Sequence, residues 1–155
     1  MFDFNDLKTI HIELTTNCQA KCPMCSRNIH GGIENPLLRI VQWSLEDFKT
    51  IINKEVLDTI NRAFFCGNFG DPLLNDKLID MCRHVKDTSP KTAIGIHTNG
   101  SLRNAKWWTA LAKALPRDHC VYFALDGLED THKLYRVGTD WNRIIENAKT
   151  LIAAG

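Results

Sequence analysis

Three cysteines fall within eight residues of this 155-residue chain: Cys18, Cys22 and Cys25, spaced C-x3-C-x2-C. Thiolates are soft ligands, and soft ligands select zinc, copper(I) or iron–sulfur clusters. A structural zinc site is closed by a fourth ligand, for which His30 is the nearest candidate and Cys66 another. A cubane iron–sulfur cluster held by three cysteines leaves one iron open. An open coordination position is what a catalytic metal needs to bind substrate. An electron-transfer cluster would have every iron ligated, with Cys66 as the extra ligand. Three reduced cysteines without metal are the plainest alternative.

The elements that must position these thiols follow from patterning. Four short apolar runs read as buried strands: Thr9 to Leu14, Arg62 to Cys66, Thr92 to His97 and Cys120 to Leu125. Each is followed by a helical pattern. Ser44 with Asp47 resembles a capping box, and Leu45, Phe48, Ile51 and Ile52 follow at helical spacing. Asn75 is the expected cap of a second helix, with Leu78, Ile79, Cys82 and Val85 on one face. A third helix runs from about Asn104 and buries Trp108, Leu111 and Leu115. Asp140 caps a fourth, with an apolar stripe of Trp141, Ile144, Ile145, Ala148, Leu151 and Ile152 that stops at Gly155. Alternation of strand and helix argues for a parallel sheet with crossover helices. The last two strand spacings suit a plain βα unit of about 30 residues. The first is longer, and its excess holds the cysteines.

Composition sets the class. Hydrophobic residues make up 44% and charged residues 24%, which is near the globular average. A chain of this length suits one domain. No stretch approaches the roughly 20 apolar residues of a membrane span. The start, Met1-Phe2-Asp3-Phe4, lacks the basic-then-apolar pattern of a signal peptide. The expected location is therefore cytoplasmic, where six cysteines stay thiols or metal ligands. A net charge of +1 gives no electrostatic reason to expect nucleic acid or an anionic membrane as partner.

In open parallel sheets and barrels, ligands bind at the carboxyl ends of the strands. Here those ends carry Thr15 to Cys25, Cys66-Gly67-Asn68-Phe69-Gly70-Asp71-Pro72, His97-Thr98-Asn99-Gly100 and Ala124-Leu125-Asp126-Gly127. If the strands are parallel, all four segments meet on one rim. Elsewhere, Cys82 and Cys120 read as core. Cys66 reads as packing beside the site. His11 and Glu13 alternate on one face of the first strand and read as a satisfied interior pair.

With these segments in this order, the chain resembles the radical S-adenosylmethionine (radical SAM) superfamily. Cys18-x3-Cys22-x2-Cys25 after a first strand is that family's hallmark. The resemblance implies that the three cysteines hold a [4Fe–4S] cluster whose fourth iron is chelated by the methionine part of S-adenosylmethionine (SAM). Met24 stands where the family has an aromatic or apolar residue near the adenine. Gly70-Asp71-Pro72 resembles the family's Gly-Gly-Glu-Pro motif, whose backbone receives the SAM amino group. Phe69 replaces the first glycine there, and Asp71 the glutamate. Thr98-Asn99-Gly100 resembles the Thr-Asn-Gly segment near the methionine carboxylate and ribose. Asp126-Gly127 with His132 and Tyr135-Arg136 resembles the Ser-x-Asp-Gly…His-x-x-Tyr-Arg pattern of members that modify peptides and proteins, with Ala124 in place of serine. Asp126 would then accept from a ribose hydroxyl, or serve as a turn or cap residue. Arg136 would pair with a carboxylate in the site or with Asp126.

The implied fold is α/β: a parallel-stranded partial TIM-type barrel, the (βα)4 portion of a (βα)6 core. Residues 1–155 are then a single core domain without the C-terminal βα units. The implied chemistry is reductive cleavage of SAM to methionine and a 5′-deoxyadenosyl radical, which takes hydrogen from a substrate such as a peptide or protein. An electron donor such as flavodoxin or ferredoxin is the implied partner. The alternatives are a non-catalytic iron–sulfur or zinc module and a truncated, inactive fragment.

Overall fold

The computed structural model describes residues 3–29, 32–116 and 118–155. Four strands form one sheet: β1 (Thr9–Ile12), β4 (Arg62–Phe65), β5 (Ala93–Thr98) and β6 (His119–Phe123). They lie side by side in that order, and each neighbouring pair is parallel. Parallel neighbours need crossover connections, and helices supply them. These are α1 (Leu45–Ile51) and α2 (Lys54–Thr59), then α3 (Leu78–Thr88), then α4 (Ala105–Ala114). A short helix, α5 (His132–Tyr135), and the long α6 (Trp141–Ala154) follow β6. The cysteine segment carries a small antiparallel hairpin, β2 (Asn28–Ile29) with β3 (Ile33–Glu34).

The two sheet faces differ because side chains alternate along a strand. Ile12, Phe65, Ile94 and Ile96 point into the core, where they join Phe48 of α1, Met81 and Val85 of α3, and Trp108 and Leu111 of α4. Phe48 makes edge contacts with Trp43, Phe65 and His84. Trp108 stacks on Phe123 at 5.3 Å and donates its indole N–H to the Leu102 carbonyl at 3.0 Å. The opposite face carries His11, Phe64, His97 and Tyr122, with His97 and Tyr122 stacked at 4.4 Å. Gly95 makes this layer possible: a Cβ there would lie 2.3 Å from the Phe64 ring.

Ser44, Asn104 and Asp140 cap α1, α4 and α6 as expected, each accepting a backbone N–H three residues on. Such caps contribute about 1 kcal/mol each. The strands start and stop within one or two residues of the expected limits. Four readings are corrected. Asn75 does not cap α3, which starts at Leu78 behind Lys77. Its side chain is buried and donates to the Leu14 and Trp43 carbonyls. Cys120 is exposed, because it lies on the helix-free face of β6. Ile152 is 79% exposed, and buried Asn147 takes a place on that stripe instead, donating to the Gly100 and Leu102 carbonyls. His11 and Glu13 do not pair: His11 meets Cys66, and Glu13 turns to the loop after β4. Among the described residues no helix is long and apolar enough to cross a membrane.

Candidate active site

The carboxyl ends of all four parallel strands open onto one cavity of about 260 Å³. Cys18, Cys22 and Cys25 line it together with Gly70, Asp71, Thr98, Asn99 and Arg136. Met24, Pro72 and Asp126 do not line it. Met24 is 82% exposed, and Pro72 is buried at the start of a one-turn 3-10 helix. Asp126 is ion-paired with Arg136, which does line it. His30 lies outside the described residues. A larger hollow of about 660 Å³ between α5 and the start of α6 is lined by Glu129, Lys133 and Asn142 and holds none of the cysteines.

Close backbone approach brings the cysteine segment to the loop after β4. The Asp71 N–H donates to the Asn17 carbonyl at 2.8 Å. A Cβ on Gly70 would fall 1.8 Å from the Thr15 carbonyl oxygen, so this crossing requires glycine. Two charged side chains grip the same loop. Glu13 accepts the Phe69 and Gly70 N–H groups at 2.6 and 3.0 Å. Buried Arg27 donates to the Thr16 and Phe69 carbonyls and pairs with Glu34 at 2.6 Å. Ser26 and the Cys25 thiol both donate to the Asn68 carbonyl.

Asp71 is the hub of the floor. Its carboxylate accepts from the Thr98 hydroxyl at 2.8 Å, the Leu73 N–H at 3.0 Å, and the Asn99 backbone and side-chain N–H groups at 2.8 and 2.6 Å. Asn99 in turn reaches the Cys18 sulfur at 3.9 Å and accepts from Gln19 at 2.8 Å. The aspartate that stands in the glutamate position thus links the end of β5 to the first cysteine.

The sequence profile of the radical SAM superfamily matches residues 12–155. The chain belongs to the radical SAM superfamily. A curated relative, the tungsten-containing aldehyde ferredoxin oxidoreductase cofactor-modifying protein of Pyrococcus furiosus, is 26% identical over 136 residues. That match covers 85% of this chain and 34% of the relative, so the chain spans about a third of its length. Among solved structures, native anSMEcpe with bound AdoMet superposes with a TM-score of 0.67 at 21% identity, over 96% of this chain and 41% of that one. BtrN in complex with AdoMet and 2-DOIA gives 0.59 at 21% identity, over 74% and 45%. Methylornithine synthase (PylB) gives 0.62 at 13% identity, over 96% and 42%. These likenesses show the partial-barrel fold.

Radical SAM membership implies a [4Fe–4S] cluster and SAM as the typical cofactors, and the donor set fits them. Three thiols share the cavity, while Cys66 stands outside it with its sulfur 3.4 Å from His11 Nδ1. Among the described residues no group of three His, Cys, Asp or Glu side chains is already drawn together for a metal of any kind, the three cysteines included. Burial pushes the Cys18 thiol up to about 11, and the Asp71 carboxylate adds to the shift. Burial also raises Cys22, opposed by the Arg136 guanidinium beside it. Ligation requires thiolates, so loading the site releases protons. Burial likewise raises Asp71, against the pull of the N–H groups it accepts.

Two site residues gave little signal in sequence. Glu13 reads in sequence as half of an interior pair with His11, with no sign of its grip on the loop after β4. Arg27 was not visible at all, since its partners lie at positions 16, 34 and 69.

Proposed function

We propose that residues 1–155 form a radical SAM core domain in which Cys18, Cys22 and Cys25 hold a [4Fe–4S] cluster. The observation that carries this reading is the shared cavity: three thiols, Gly70–Asp71 and Thr98–Asn99 line one space at the carboxyl ends of four parallel strands. When bound, the cluster and SAM supply one-electron cleavage of a carbon–sulfur bond and a radical that takes hydrogen from substrate.

The chain's own residues bind and orient. Glu13 occupies the Phe69 and Gly70 N–H groups. The Gly70 carbonyl is then the acceptor offered to the SAM ammonium. Pro72 fixes the turn that follows, opening the 3-10 helix capped by the Asp71 side chain. Asp71 acts by holding Thr98 and Asn99 towards the ribose and the methionine carboxylate. Asp126 would take a ribose hydroxyl with the oxygen not paired to Arg136. Met24, exposed beside Cys25, would be the side chain offered to the adenine. No protein base is required, because a hydrogen atom is removed rather than a proton.

The substrate class we favour is a peptide or protein. Asp126-Gly127, His132 and Tyr135-Arg136 support it; the curated relative, named for modifying an oxidoreductase cofactor, points to a different substrate class. Flavodoxin or ferredoxin is the proposed electron donor, in the cytoplasm. Anaerobic reconstitution followed by iron and sulfide analysis tests the ligand set. Substituting Cys18, Cys22 or Cys25 by Ala should abolish cluster retention, and Cys66→Ala should not. Loss in Cys66→Ala with a fully ligated cluster in the parent would instead mark an electron-transfer protein.

A further inference from the structure

The three thiols have unequal surroundings. Cys25 meets a neutral carbonyl, that of Asn68, at 3.8 Å. Cys18 meets the neutral Asn99 amide at 3.9 Å, with the Asp71 carboxylate behind it. Cys22 meets a cation: Arg136 Nη1 lies 3.7 Å from its sulfur.

Arg136 is held in that position from several sides. Its Nε is paired with Asp126, and its guanidinium lies 5.5 Å from the Tyr135 ring centroid. The residue after it accepts the Lys21 N–H at 2.8 Å, which ties this turn to the cysteine segment. His132, 1% exposed, braces both ends of the pair. Its Nδ1 accepts the Asp126 N–H at 3.4 Å, and its Nε2 meets the Thr139 hydroxyl at 3.0 Å. That hydroxyl donates to the Arg136 carbonyl at 2.7 Å, so Nε2 carries the imidazole proton.

Reduction potentials of iron–sulfur clusters respond to net charge and to hydrogen bonds on the ligating sulfurs. Reduction adds one negative charge to the cluster and breaks no bond. A guanidinium beside a ligating sulfur stabilises that added charge more than it stabilises the oxidised form. Arginine keeps its proton throughout the accessible pH range. We propose that Arg136 is a positioning residue whose charge, delivered at Cys22, raises the reduction potential of the cluster held by Cys18, Cys22 and Cys25. The inference rests on the cluster reading above and assigns to Arg136 a task separate from any contact with SAM.

The test is a redox titration of the anaerobically reconstituted full chain, without SAM, with dithionite as reductant and the reduced cluster followed by electron paramagnetic resonance. Arg136→Gln should lower the midpoint by at least 59 mV, a tenfold loss in the one-electron reduction equilibrium. Arg136→Lys, which keeps the charge, should recover at least half of that shift. An unchanged midpoint in Arg136→Gln at equal iron and sulfide content overturns the inference, and does so also if SAM binding alone is weakened. Should Arg136→Gln load no cluster, Asp126→Asn decides in its place. Asparagine keeps an oxygen for the Arg136 Nε but drops the charge that offsets the guanidinium, so the midpoint should rise, and an unchanged or lower value overturns the inference. A parent chain that takes up no iron and sulfide refutes the cluster reading itself, and this inference with it.

Discussion

Gly70→Ala is the smallest perturbation that separates the cysteine segment from the loop after β4. The added methyl would lie 1.8 Å from the Thr15 carbonyl oxygen, 2.6 Å from its carbon and 3.0 Å from the Asn17 carbonyl oxygen. Ordinary contact begins near 3.4 Å, so one backbone must retreat by roughly 1.6 Å. Thr15 cannot yield freely: it is buried, donates to Val41 and accepts from Asn17. Overpacking of this kind costs about 1–3 kcal/mol. Losing the adjacent bond from Asp71 to Asn17 adds about 1 kcal/mol. The sum, about 2–4 kcal/mol, should lower the urea midpoint by about 1–2 M at a slope near 2 kcal/mol per M. Urea titration of the cluster-free chain by circular dichroism reads it directly. Gly155→Ala is the control, since a Cβ there meets only ordinary contacts at 3.6 and 3.7 Å. A Gly70→Ala midpoint within 0.2 M (roughly 0.4 kcal/mol at that slope) of the parent would refute the close-approach argument.

Three further outcomes are expected. Asp71→Ala leaves the Leu73 and Asn99 backbone N–H groups without their acceptor and should destabilise by roughly 2–6 kcal/mol, against a smaller loss for Asp71→Asn, both read by urea unfolding. Trp108→Ala empties a fully buried site against Phe123 and should cost about 3–5 kcal/mol, which lowers the melting temperature by roughly 6–20 °C. Burial and the nearby Arg136 hold His132 below its ordinary value of 6.5, so the unfolded chain binds more protons in acid. Its share of stability is complete above about 6.5 and is lost as pH falls through the lower folded value. His132→Asn should therefore flatten the acid limb of a stability–pH profile, leaving the part due to His97, which burial also lowers.

The sheet was legible because its strands are short apolar runs and its caps are Ser, Asn and Asp at the starts of periodic segments. Ser44, Asn104 and Asp140 cap where expected. All of the failures but Cys120 have a common cause: partners far apart in sequence decided them. Asn75 resembles a cap, but its amide satisfies carbonyls at positions 14 and 43. Cys120 sits in an apolar strand, yet strand alternation places it on the helix-free face. Asn147 interrupts an apolar stripe because the Gly100 and Leu102 carbonyls need a donor. The same holds at the site. The cysteine spacing was self-announcing, and Thr98, Asn99 and Asp71 were visible as turn residues at strand ends. Glu13 and Arg27 act through contacts 57 and 42 residues away, which no local pattern carries.

Three cysteines holding a cubane cluster would leave one iron open for SAM. Electron paramagnetic resonance of the anaerobically reconstituted, reduced chain, recorded with and without SAM, tests it most directly. A cubane signal whose line shape changes when SAM is added is expected. A cubane signal indifferent to saturating SAM, or zinc in place of iron, would contradict it.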